Sequence, residues 1–491
     1  MTLDEYNNQL GSLYTANEQL FAHSIALSRC EGQTRLFAQW SDGTRRIPLS
    51  VLPSLFKFAG KILRDLLYIF LSRRITPESA VSPGKTILVF SYFDWRNDDN
   101  GTLREEYLRS ILNDEENVLC VYKLVNPGLF ARGPAYIRCL KSIRKKFLGH
   151  PEHAFLTFIS VAQAIYRTGA HAGRFRNSDL DIDPRGGLTA LALSAHWKEI
   201  IDGTVYALYL QEILAERLLI YKPRLLLSVW ENQPWERVIE LAKKRISPTT
   251  VSKGFQHTGF SKKLLQHYPA DCEKNLMGYP DIILSNGEVN HRELTRIAAF
   301  KERARVGCAL RQDKMLARGI PDISDLSVNE KIDIVFAFPW DQSIYPEILR
   351  DLEQIPKQAT VYLKFHPDYP DWKKVASSQS NFIVTQAPWP EIGKKCRLLL
   401  ANDNSLMFEG FYHGMHTAVY DLQPEFEKRD FGSPLVHFDK KNLARILDGE
   451  TKKRINYATT QMTRGGYLNR YFVRCDLETA KSIFFTSGGD E

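Results

Sequence analysis

A histidine and a proline stand where a buried strand is predicted to end. His366-Pro367 follows the apolar run TVYL, and Pro339-Trp340 follows the apolar run IDIVFAF. Because proline cannot donate a ladder hydrogen bond, Pro367 ends its strand and leaves His366 at the carboxyl end. An imidazole in that place can contact a phosphate, whereas a His-Pro dipeptide in an ordinary loop needs no ligand. The other strand ends have to separate these two interpretations.

A third strand end in the same half carries an amide and a hydroxyl. Asn404 and Ser405 follow the apolar run RLLLAN and precede a helical segment. Either side chain is predicted to cap that helix, which leaves its first N–H groups available to a phosphate. Glu409 follows about one turn later, where a carboxylate can accept hydrogen bonds from a ribose diol. The alternative is an ordinary helix cap with a glutamate on the surface.

The first half of the chain offers candidates for an acid or a base. Asp94 follows the run TILVF, Glu231 follows LLLSVW, and His257 closes the run TVSKGFQH. Glu231 lies in WENQPWER, where two tryptophans flank a carboxylate and two amides. A strand-end carboxyl beside aromatic rings is expected to have a raised pKa and to act as a general base toward a sugar hydroxyl. The tryptophan faces suit sugar C–H surfaces, and core packing is their other use.

Short apolar runs that alternate with helical segments position these residues. This alternation is typical of a parallel α/β sheet, and it restarts after the polar segment 311–331. The sequence therefore predicts two Rossmann-like domains that face each other across a cleft, at 81–310 and 320–450. A mostly helical extension precedes them at 1–80, and C-terminal helices at 451–491 are expected to pack back on the junction. Ligands of open α/β sheets bind at the carboxyl ends of the strands, so the candidates meet at the cleft.

The composition excludes several classes of function. The 491 residues are 44% hydrophobic and 25% charged, which is typical of a soluble globular protein, and the net charge is +8. The sequence has no GxxxxGK[ST] and no GxGxxG after its first strand, and no nucleic-acid module accompanies its basic clusters. Seven cysteines without a CxxC pair predict a reduced, cytoplasmic protein without a zinc site.

The most apolar stretch of the sequence, 51–75, is interrupted by Lys57, Lys61, Arg64 and Asp65. Its uncharged runs are far shorter than the roughly 18–20 residues that cross a bilayer, so it is not predicted to be a transmembrane helix. A basic amphipathic segment of this kind is expected to contact the surface of the inner membrane. The alternative is a solvated basic face.

The order of the candidates resembles that of a known group of enzymes. A strand-end HP, followed about forty residues later by an [ND]-S segment and a glutamate, resembles GT-B glycosyltransferases that use cytidine-activated donors. These include bacterial sialyltransferases, capsule-associated Kdo transferases and teichoic-acid polyol-phosphate transferases. The resemblance covers about 220–425, and it implies that His366 contacts the donor phosphate, that Ser405 binds phosphate and that Glu231 or Asp94 is the base.

Two features depart from the pattern of that group. The acidic-acidic-glycine motif of the sialyltransferases is absent, which leaves the identity of the base open. The serine motif is NDNS rather than a pair of serines, which leaves the donor open.

We therefore expect a metal-independent GT-B glycosyltransferase of bacterial surface-polysaccharide biosynthesis, which acts on lipopolysaccharide or capsule. The protein is expected to be cytoplasmic, or peripheral at the inner membrane. Its nucleotide-sugar donor would be CMP-activated Kdo or another nonulosonic acid, held by the C-terminal domain, and its acceptor a glycan or lipid-linked saccharide. No permanently bound cofactor and no nucleic-acid partner is expected. The alternatives are a CDP-polyol phosphotransferase of the teichoic-acid polymerase type and a carbohydrate-binding protein without activity.

The candidates divide by role. The catalytic candidates are Glu231 first, Asp94 second, and the imidazoles His257 and His366. The residues expected to bind the nucleotide are Pro339, Trp340, His366, Pro367, Asn404, Ser405 and Glu409.

Overall fold

A computed structural model describes thirteen ranges of the chain, and the other residues lie outside the description. The described residues are 51–72, 86–94, 108–112, 117–125, 149–177, 188–256, 267–269, 278–327, 332–339, 342–366, 381–402, 405–422 and 433–486. Of the predicted extension 1–80, the described part is one helix that begins at Val51.

In the described residues, the first half is built on a sheet of seven strands. Runs rich in Leu, Ile, Val and Phe form its central strands, as expected for strands that are covered on both faces. In chain order the strands are β1 (Ile87–Asp94), β2 (Val118–Val125), β3 (Gly149–Pro151), β4 (Leu225–Trp230), β5 (Val251–Gln256), β6 (Ile282–Ser285) and β7 (Ala304–Val306).

Helices accompany this sheet, and three of them are 16 residues or longer. They are α1 (Val51–Ser72), α2 (Arg109–Leu112), α3 (Phe158–Asn177), α4 (Leu188–Ile201), α5 (Thr204–Leu219), α6 (Pro234–Ile246) and α7 (Glu288–Arg296). Pro234 begins α6, as its sequence predicted, because proline at the first helical position lacks an N–H that would be unsatisfied there anyway. A short helix, α8 (Asp313–Arg318), lies between the two halves.

Over its described ranges, the second half is built on a sheet of six strands. They are β8 (Asp333–Ala337), β9 (Thr360–Lys364), β10 (Phe382–Val384), β11 (Leu398–Ala401), β12 (His416–Tyr420) and β13 (Val436–Phe438). The helices that follow in the chain are α9 (Tyr345–Leu352), α10 (Trp389–Lys395), α11 (Leu406–Glu409), α12 (Gly449–Arg464), α13 (Tyr467–Tyr471) and α14 (Leu477–Phe485). Among the helices in the described ranges, none combines the length and the apolarity that crossing a bilayer requires.

All strand pairs in both sheets are parallel. The first sheet has the order β3-β2-β1-β4-β5-β6-β7, and the second has the order β10-β9-β8-β11-β12-β13. The strand order reverses between β1 and β4 in one sheet and between β8 and β11 in the other. Each reversal is a switch point, beside which the loops leaving neighbouring strands diverge. Two parallel sheets with helices are the predicted two-domain α/β fold of GT-B type, and this prediction is confirmed.

The C-terminal segment returns to the first sheet. Ala480, Phe484 and Phe485 of α14 are buried in one core cluster with residues of β1, β4 and β5. The Nζ atom of Lys253 in β5 donates a hydrogen bond of 2.7 Å to the carbonyl oxygen of Ile483. The last helix is therefore part of the first half's core, although it comes after the whole second sheet in the chain.

A disulfide holds the same segment. Cys308, just after β7, is bonded to Cys475, just before α14, with their Cα atoms 5.9 Å apart and a sequence separation of 167 residues. Beside it, the backbone N–H of Ala309 donates to the carbonyl oxygen of Val473 at 2.9 Å. The prediction that the cysteines are all reduced is wrong for this pair, because residues far apart in sequence are brought together only by the return of the C-terminal segment.

Candidate active site

The predicted residues that the structure describes lie at carboxyl ends of strands near the two switch points. In the first sheet, Asp94 is the last residue of β1 and Glu231 comes directly after β4. In the second sheet, Pro339 and Ser405 follow β8 and β11, and His366 follows the adjacent β9. Ligands of open α/β sheets bind in the crevice beside such a switch point. The topology therefore brings each candidate to the ligand-binding edge of its own sheet.

A second glutamate supports the loop that carries Glu231. The Oε2 atom of Glu236 accepts the backbone N–H of Glu231 at 2.9 Å and that of Gln233 at 3.1 Å. Gln233 and Glu236 form a reciprocal capping box at the start of α6. The half-buried Glu231 is thereby held at a fixed backbone position at the edge of the sheet.

Glu236 is also the carboxyl with the most strongly perturbed environment at this edge. Its side chain is buried, and burial raises the pKa of Glu236 well above its ordinary value, while the charge of Glu231 raises it further. Backbone hydrogen bonds, including that from Gln233, act in the opposite direction. Its second oxygen, Oε1, has no hydrogen-bond partner among the described residues. Burial of Glu236 therefore favours its protonated, neutral form at this edge, beside the half-buried Glu231.

Glu231 was predicted from the sequence as a site residue, whereas Glu236 was not. The signal for Glu236 was present: a glutamate three residues after Gln233, with Pro234 between them, is the pattern of a capping box. The pattern does not reveal that the cap is buried, and burial is what raises its pKa.

The turn after β4 is shaped by a buried cation. Asn232 has a left-handed backbone with φ of 56°, a conformation that asparagine adopts more readily than most residues. The Nε atom of the buried Arg237 donates to the Oδ1 atom of Asn232 at 3.0 Å. The guanidinium also lies 5.8 Å from the ring centre of Tyr279. These contacts fix the turn that presents Glu231.

The tryptophans of WENQPWER belong to the core. Trp230 is buried and packs edge-on against Phe300, with ring centres 5.2 Å apart. Trp235 is also buried, and its Nε1 atom donates to the hydroxyl of Tyr92 at 2.7 Å. Of the two uses left open for these rings, the structure gives core packing. A sugar at this edge would have to be held by polar groups instead.

In the second sheet, aromatic packing fixes the ends of β8 and β9. Phe338 and Phe365 stack with ring centres 4.2 Å apart, directly before Pro339 and His366. The hydroxyl of Tyr345 donates to the carbonyl oxygen of Pro339 at 2.6 Å. His366 is half-buried at the end of β9, as the sequence predicted for its position. The stacked rings therefore set how far the imidazole lies from the neighbouring strand end.

The segment after β11 departs from the expected helix. Ser405 occupies the N-cap position of α11, but its side chain makes no capping hydrogen bond, and α11 is a single turn that continues as a 3₁₀ turn to His413. One turn of helix offers a weak dipole, so the predicted role of a long helix N-terminus at this point is not supported by the geometry. Glu409 accepts a hydrogen bond of 3.4 Å from the Nε2 atom of Gln312, in the segment that joins the halves.

Further residues near Glu409 were missed from the sequence. His413 lies parallel to Trp389, with ring centres 6.3 Å apart. Burial lowers the pKa of His413, the charge of Glu409 raises it, and that of Arg318 lowers it again. A neutral imidazole, a carboxylate and a guanidinium thus lie close together where the second sheet meets the connecting segment.

Several candidates cannot be placed. His257, Trp340, Pro367 and Asn404 lie outside the described residues. For Asp94, the structure gives the position at the end of β1 but not the side chain.

The described residues also form a pocket away from these edges. It has a volume of about 300 Å³ and is lined by Pro434, Leu435, Val436, Glu450, Lys453, Arg454 and Tyr457. It contains none of the predicted residues and lies beside β13, the outer strand of the second sheet. Ligands of open parallel sheets bind at the switch point rather than beside an outer strand.

Comparison with known proteins gives likenesses of fold only. No protein-family model matches the chain, and no curated protein matches its sequence. Among solved structures, a UDP-N-acetylglucosamine 2-epimerase is 11% identical with a TM-score of 0.38, covering 79% of this chain and 96% of its own. Anabaena Alr3699/HepE in complex with UDP-glucose is 12% identical with a TM-score of 0.40, covering 81% of this chain and 98% of its own.

A structure of a variant of the wall teichoic acid polymerase TagF with CDPG is also similar, at 11% identity and a TM-score of 0.36. The alignment covers 88% of this chain and 95% of the TagF chain. At these levels of identity and TM-score, the likenesses do not bear on the chemistry of this chain. The assignment of fold rests on the strand order and the parallel pairing of the two sheets.

Proposed function

We propose that this protein is a glycosyltransferase that uses a nucleotide-activated sugar. The observation that carries the proposal is the position of its candidates at the switch points of two parallel sheets: Asp94 and Glu231 in one, and Pro339 and Ser405 in the other, with His366 on the adjacent strand. A transfer reaction has two substrates, and two sheets with ligand-binding edges offer one edge to each. In this assignment the first half holds the acceptor and the second half holds the donor.

The proposed donor is a CMP-activated sugar, Kdo or another nonulosonic acid. The support is the resemblance carried by His366, Ser405 and Glu409 in that order. His366 would donate a hydrogen bond to the phosphate oxygen from which the sugar departs, and Ser405 would donate a second. Such donors stabilise the negative charge that develops on the leaving phosphate, and this proposal requires no metal ion.

The proposed reaction transfers the sugar in one displacement. Glu231 accepts the proton of an acceptor hydroxyl, the hydroxyl oxygen forms a bond to the anomeric carbon, and the bond between that carbon and the phosphate oxygen breaks. CMP leaves with the electron pair of that bond. Glu236 stays protonated and keeps the backbone of Glu231 in place through its Oε2 atom. Asp94 is the second candidate for the base.

The proposed acceptor is a glycan or a lipid-linked saccharide of a bacterial surface polysaccharide. Such acceptors are assembled at a membrane, so the enzyme would work on the cytoplasmic face of the inner membrane. The amphipathic segment 51–75 is the part of the sequence that supports this location.

A thermal-shift screen with CMP, CDP, UDP and GDP tests the donor. We expect cytidine nucleotides to stabilise the protein by about 2.7 kcal/mol at a concentration one hundred times Kd, because a ligand that binds the folded state shifts the unfolding equilibrium. His366→Ala should remove this stabilisation, while His291→Ala, on α7 of the first half, should keep it. If no cytidine nucleotide raises the melting temperature, the donor assignment is wrong.

Product analysis separates the two enzymatic alternatives. A glycosyltransferase releases CMP and leaves no donor phosphate in its product, whereas a CDP-polyol phosphotransferase transfers a phosphate with the polyol. Retained phosphate would therefore exclude the glycosyl reaction. Nucleotide binding without any turnover of a panel of acceptors would favour the carbohydrate-binding alternative.

A further inference from the structure

Helix α1 is turned with an apolar face toward solvent. Leu52, Phe56, Leu63, Leu67 and Phe70 are between 51% and 70% exposed. Their spacing of three, four and seven residues places them on one side of the helix, which is about 33 Å long. Single exposed apolar residues are common, but a continuous stripe of this length is typical of an interaction surface.

The opposite face of α1 is buried and partly polar. Asp65 is 1% exposed, and its Oδ1 atom lies 2.7 Å from the Nη2 atom of Arg64 and 3.3 Å from the Nε2 atom of His153. The hydroxyl of Tyr206 donates to its other oxygen at 3.2 Å. A buried carboxylate with three partners fixes the rotation of the helix, so the apolar stripe cannot turn inward without breaking these contacts.

The neighbouring helix repeats the pattern. Helix α3 contacts α1, and Phe158, Ile159, Ile165 and Tyr166 of α3 are between 39% and 77% exposed. The residues between them on the same side are small, since Ala162, Gly169 and Ala170 are also exposed. Two adjacent helices therefore present apolar faces, which we name the α1/α3 face.

The charge on these two helices has one sign at the surface. Their sequences contain Lys57, Lys61, Arg64, Arg167, Arg174 and Arg176 but a single carboxylate, the buried Asp65. Lys61 and Arg167 lie within 4 Å of Asp202 and Glu216, whereas Lys57 and Arg174 are exposed. An apolar face bordered by cations matches an anionic lipid surface, in which acyl chains take the apolar residues and phosphates attract the cations.

We propose that the α1/α3 face docks on an anionic lipid bilayer, with α1 lying in the plane of the interface. A second copy of this chain would gain nothing from the cations, because the same face on the partner is equally basic. The docking surface goes beyond the proposed transfer reaction and does not depend on it. It would hold the first half, where we place the acceptor, against the membrane that contains a lipid-linked acceptor.

Vesicle flotation of the full-length protein tests the proposal. The probes are vesicles of phosphatidylethanolamine with phosphatidylglycerol and vesicles of phosphatidylcholine alone, without donor or acceptor. We expect flotation with the anionic vesicles and much less with the neutral ones. Phe56→Glu with Leu63→Glu should weaken binding at least about ten-fold, because each side chain loses its burial in the acyl region. Lys57→Glu should weaken it by roughly five-fold or more, with a smaller effect at high salt.

A matched control and an oligomer measurement complete the test. Tyr457→Glu changes an equally exposed aromatic residue on α12 of the second half and should leave vesicle binding unchanged. Because the altered side chains are exposed, the melting temperature should stay close to the wild-type value. Absence of vesicle binding would overturn the proposal. Light scattering would then show whether the face joins two copies of the chain, as a dimer that Phe56→Glu dissociates, or whether the protein is a monomer. Nucleotide stabilisation is measured separately, so it can fail or succeed independently.

Discussion

Helix α1 of the first half and helix α12 of the second half differ in which face is exposed. In the second half, α12 buries Ile455 and Met462, while Lys453 on the same helix is exposed. In the first half, α1 buries Asp65 and exposes Phe56. Both patterns are amphipathic, and they differ in which face meets the core. The outer face of α12 is therefore suited to contact with water. The outer face of α1 is suited to less polar surroundings.

The apolar core of the first half also contains buried polar contacts. Between α3, α4 and α5, the Nε2 atoms of His171 and His196 are 2.8 Å apart, and the Nδ1 atom of His171 lies 3.1 Å from the hydroxyl of Tyr209. Burial lowers the pKa of His196 to about 3, and the neighbouring His171 lowers it as well. The layer of helices that exposes apolar residues is therefore joined by hydrogen bonds between buried polar groups in addition to its apolar core. Removing one partner of such a contact leaves the other partner buried without a hydrogen bond, which lowers the stability of the fold.

The largest expected effect comes from the buried carboxylate of α1. Asp65→Ala should lower the free energy of unfolding by about 3–5 kcal/mol, because Arg64 and His153 lose their partner in a buried setting. In the second half, Asp351→Ala removes the acceptor for the Tyr420 hydroxyl at 2.5 Å and should cost about 1–3 kcal/mol. Urea unfolding of both variants at neutral pH makes the comparison. Equal losses of unfolding free energy would show that the buried polar contacts of the first half contribute no more to stability than those of the second half.

The same carboxylate gives a pH dependence. Burial opposes ionisation of Asp65, yet the hydrogen bond with His153 and the charge of Arg64 hold its pKa below the ordinary value. A depressed pKa in the folded state stabilises the fold above the unfolded-state pKa of about 3.9, and this contribution is lost as the pH falls through the folded-state pKa. The stability difference between the wild type and Asp65→Ala should therefore shrink below about pH 4. A difference that stayed constant down to about pH 2 would contradict this account.

A smaller effect is expected from the disulfide that holds the C-terminal segment on the first half. Reduction should lower the free energy of unfolding by about 2–4 kcal/mol, because Cys308 and Cys475, at a sequence separation of 167, close a long loop in the unfolded chain. The double variant Cys308→Ser with Cys475→Ser should be insensitive to dithiothreitol. Thiol titration in denaturant should find Cys308 and Cys475 unreactive before reduction and reactive after it. Seven reactive thiols in protein purified without a reductant would show that the bridge is not formed.

The last effect, on the pH dependence of stability, is expected at the ligand edge. Glu236→Gln keeps an oxygen for the N–H groups of Glu231 and Gln233 and imitates the protonated acid. Because burial raises the folded-state pKa of Glu236, the folded chain holds a proton that the unfolded chain releases, so the wild type loses stability as the pH rises above about 4.5. Glu236→Gln should lack this loss, which is at most about 1.4 kcal/mol per pH unit.

Thermal melts of the wild type and Glu236→Gln between about pH 5 and about pH 9 provide the measurement. The two proteins should have similar stability at the acid end, and the variant should be the more stable one at the alkaline end. Glu236→Ala serves as the contrast, since it removes the acceptor and should be destabilised at every pH by about 1–2 kcal/mol, as for the loss of a cap. Parallel pH profiles of the wild type and Glu236→Gln would mean that Glu236 is ionised in the folded protein.

The strands that coincide with apolar runs could be predicted from the sequence, including the outer strand β10, whereas three other outer strands could not. The central strands β1, β4, β8 and β11 coincide with apolar runs within a few residues. The strands that were missed, β3, β7 and β13, have three residues each and stand at sheet edges. An edge strand pairs on one side only and needs no continuous apolar run, so its sequence carries little periodic signal.

The candidate site was predictable in position but not in electrostatics. Parallel strands end at the same edge of a sheet, so identifying the strands was enough to bring His366, Pro339 and Ser405 to one edge and Glu231 to the other. A raised pKa was predicted for Glu231, because two tryptophans flank it in the sequence. Glu236, which was not predicted, has a raised pKa, because the chain turns after Trp230 and buries this capping carboxyl.

The sequence by itself determined that this chain forms two parallel sheets and that its polar candidates stand at their strand ends, because local apolar runs and prolines are sufficient for both. It also determined that α1 is amphipathic. Only the tertiary structure decided which face of α1 is buried, through the partners that His153 and Tyr206 provide for Asp65. A helical pattern shows that two faces differ, and contacts with residues far along the chain decide which of them meets the core.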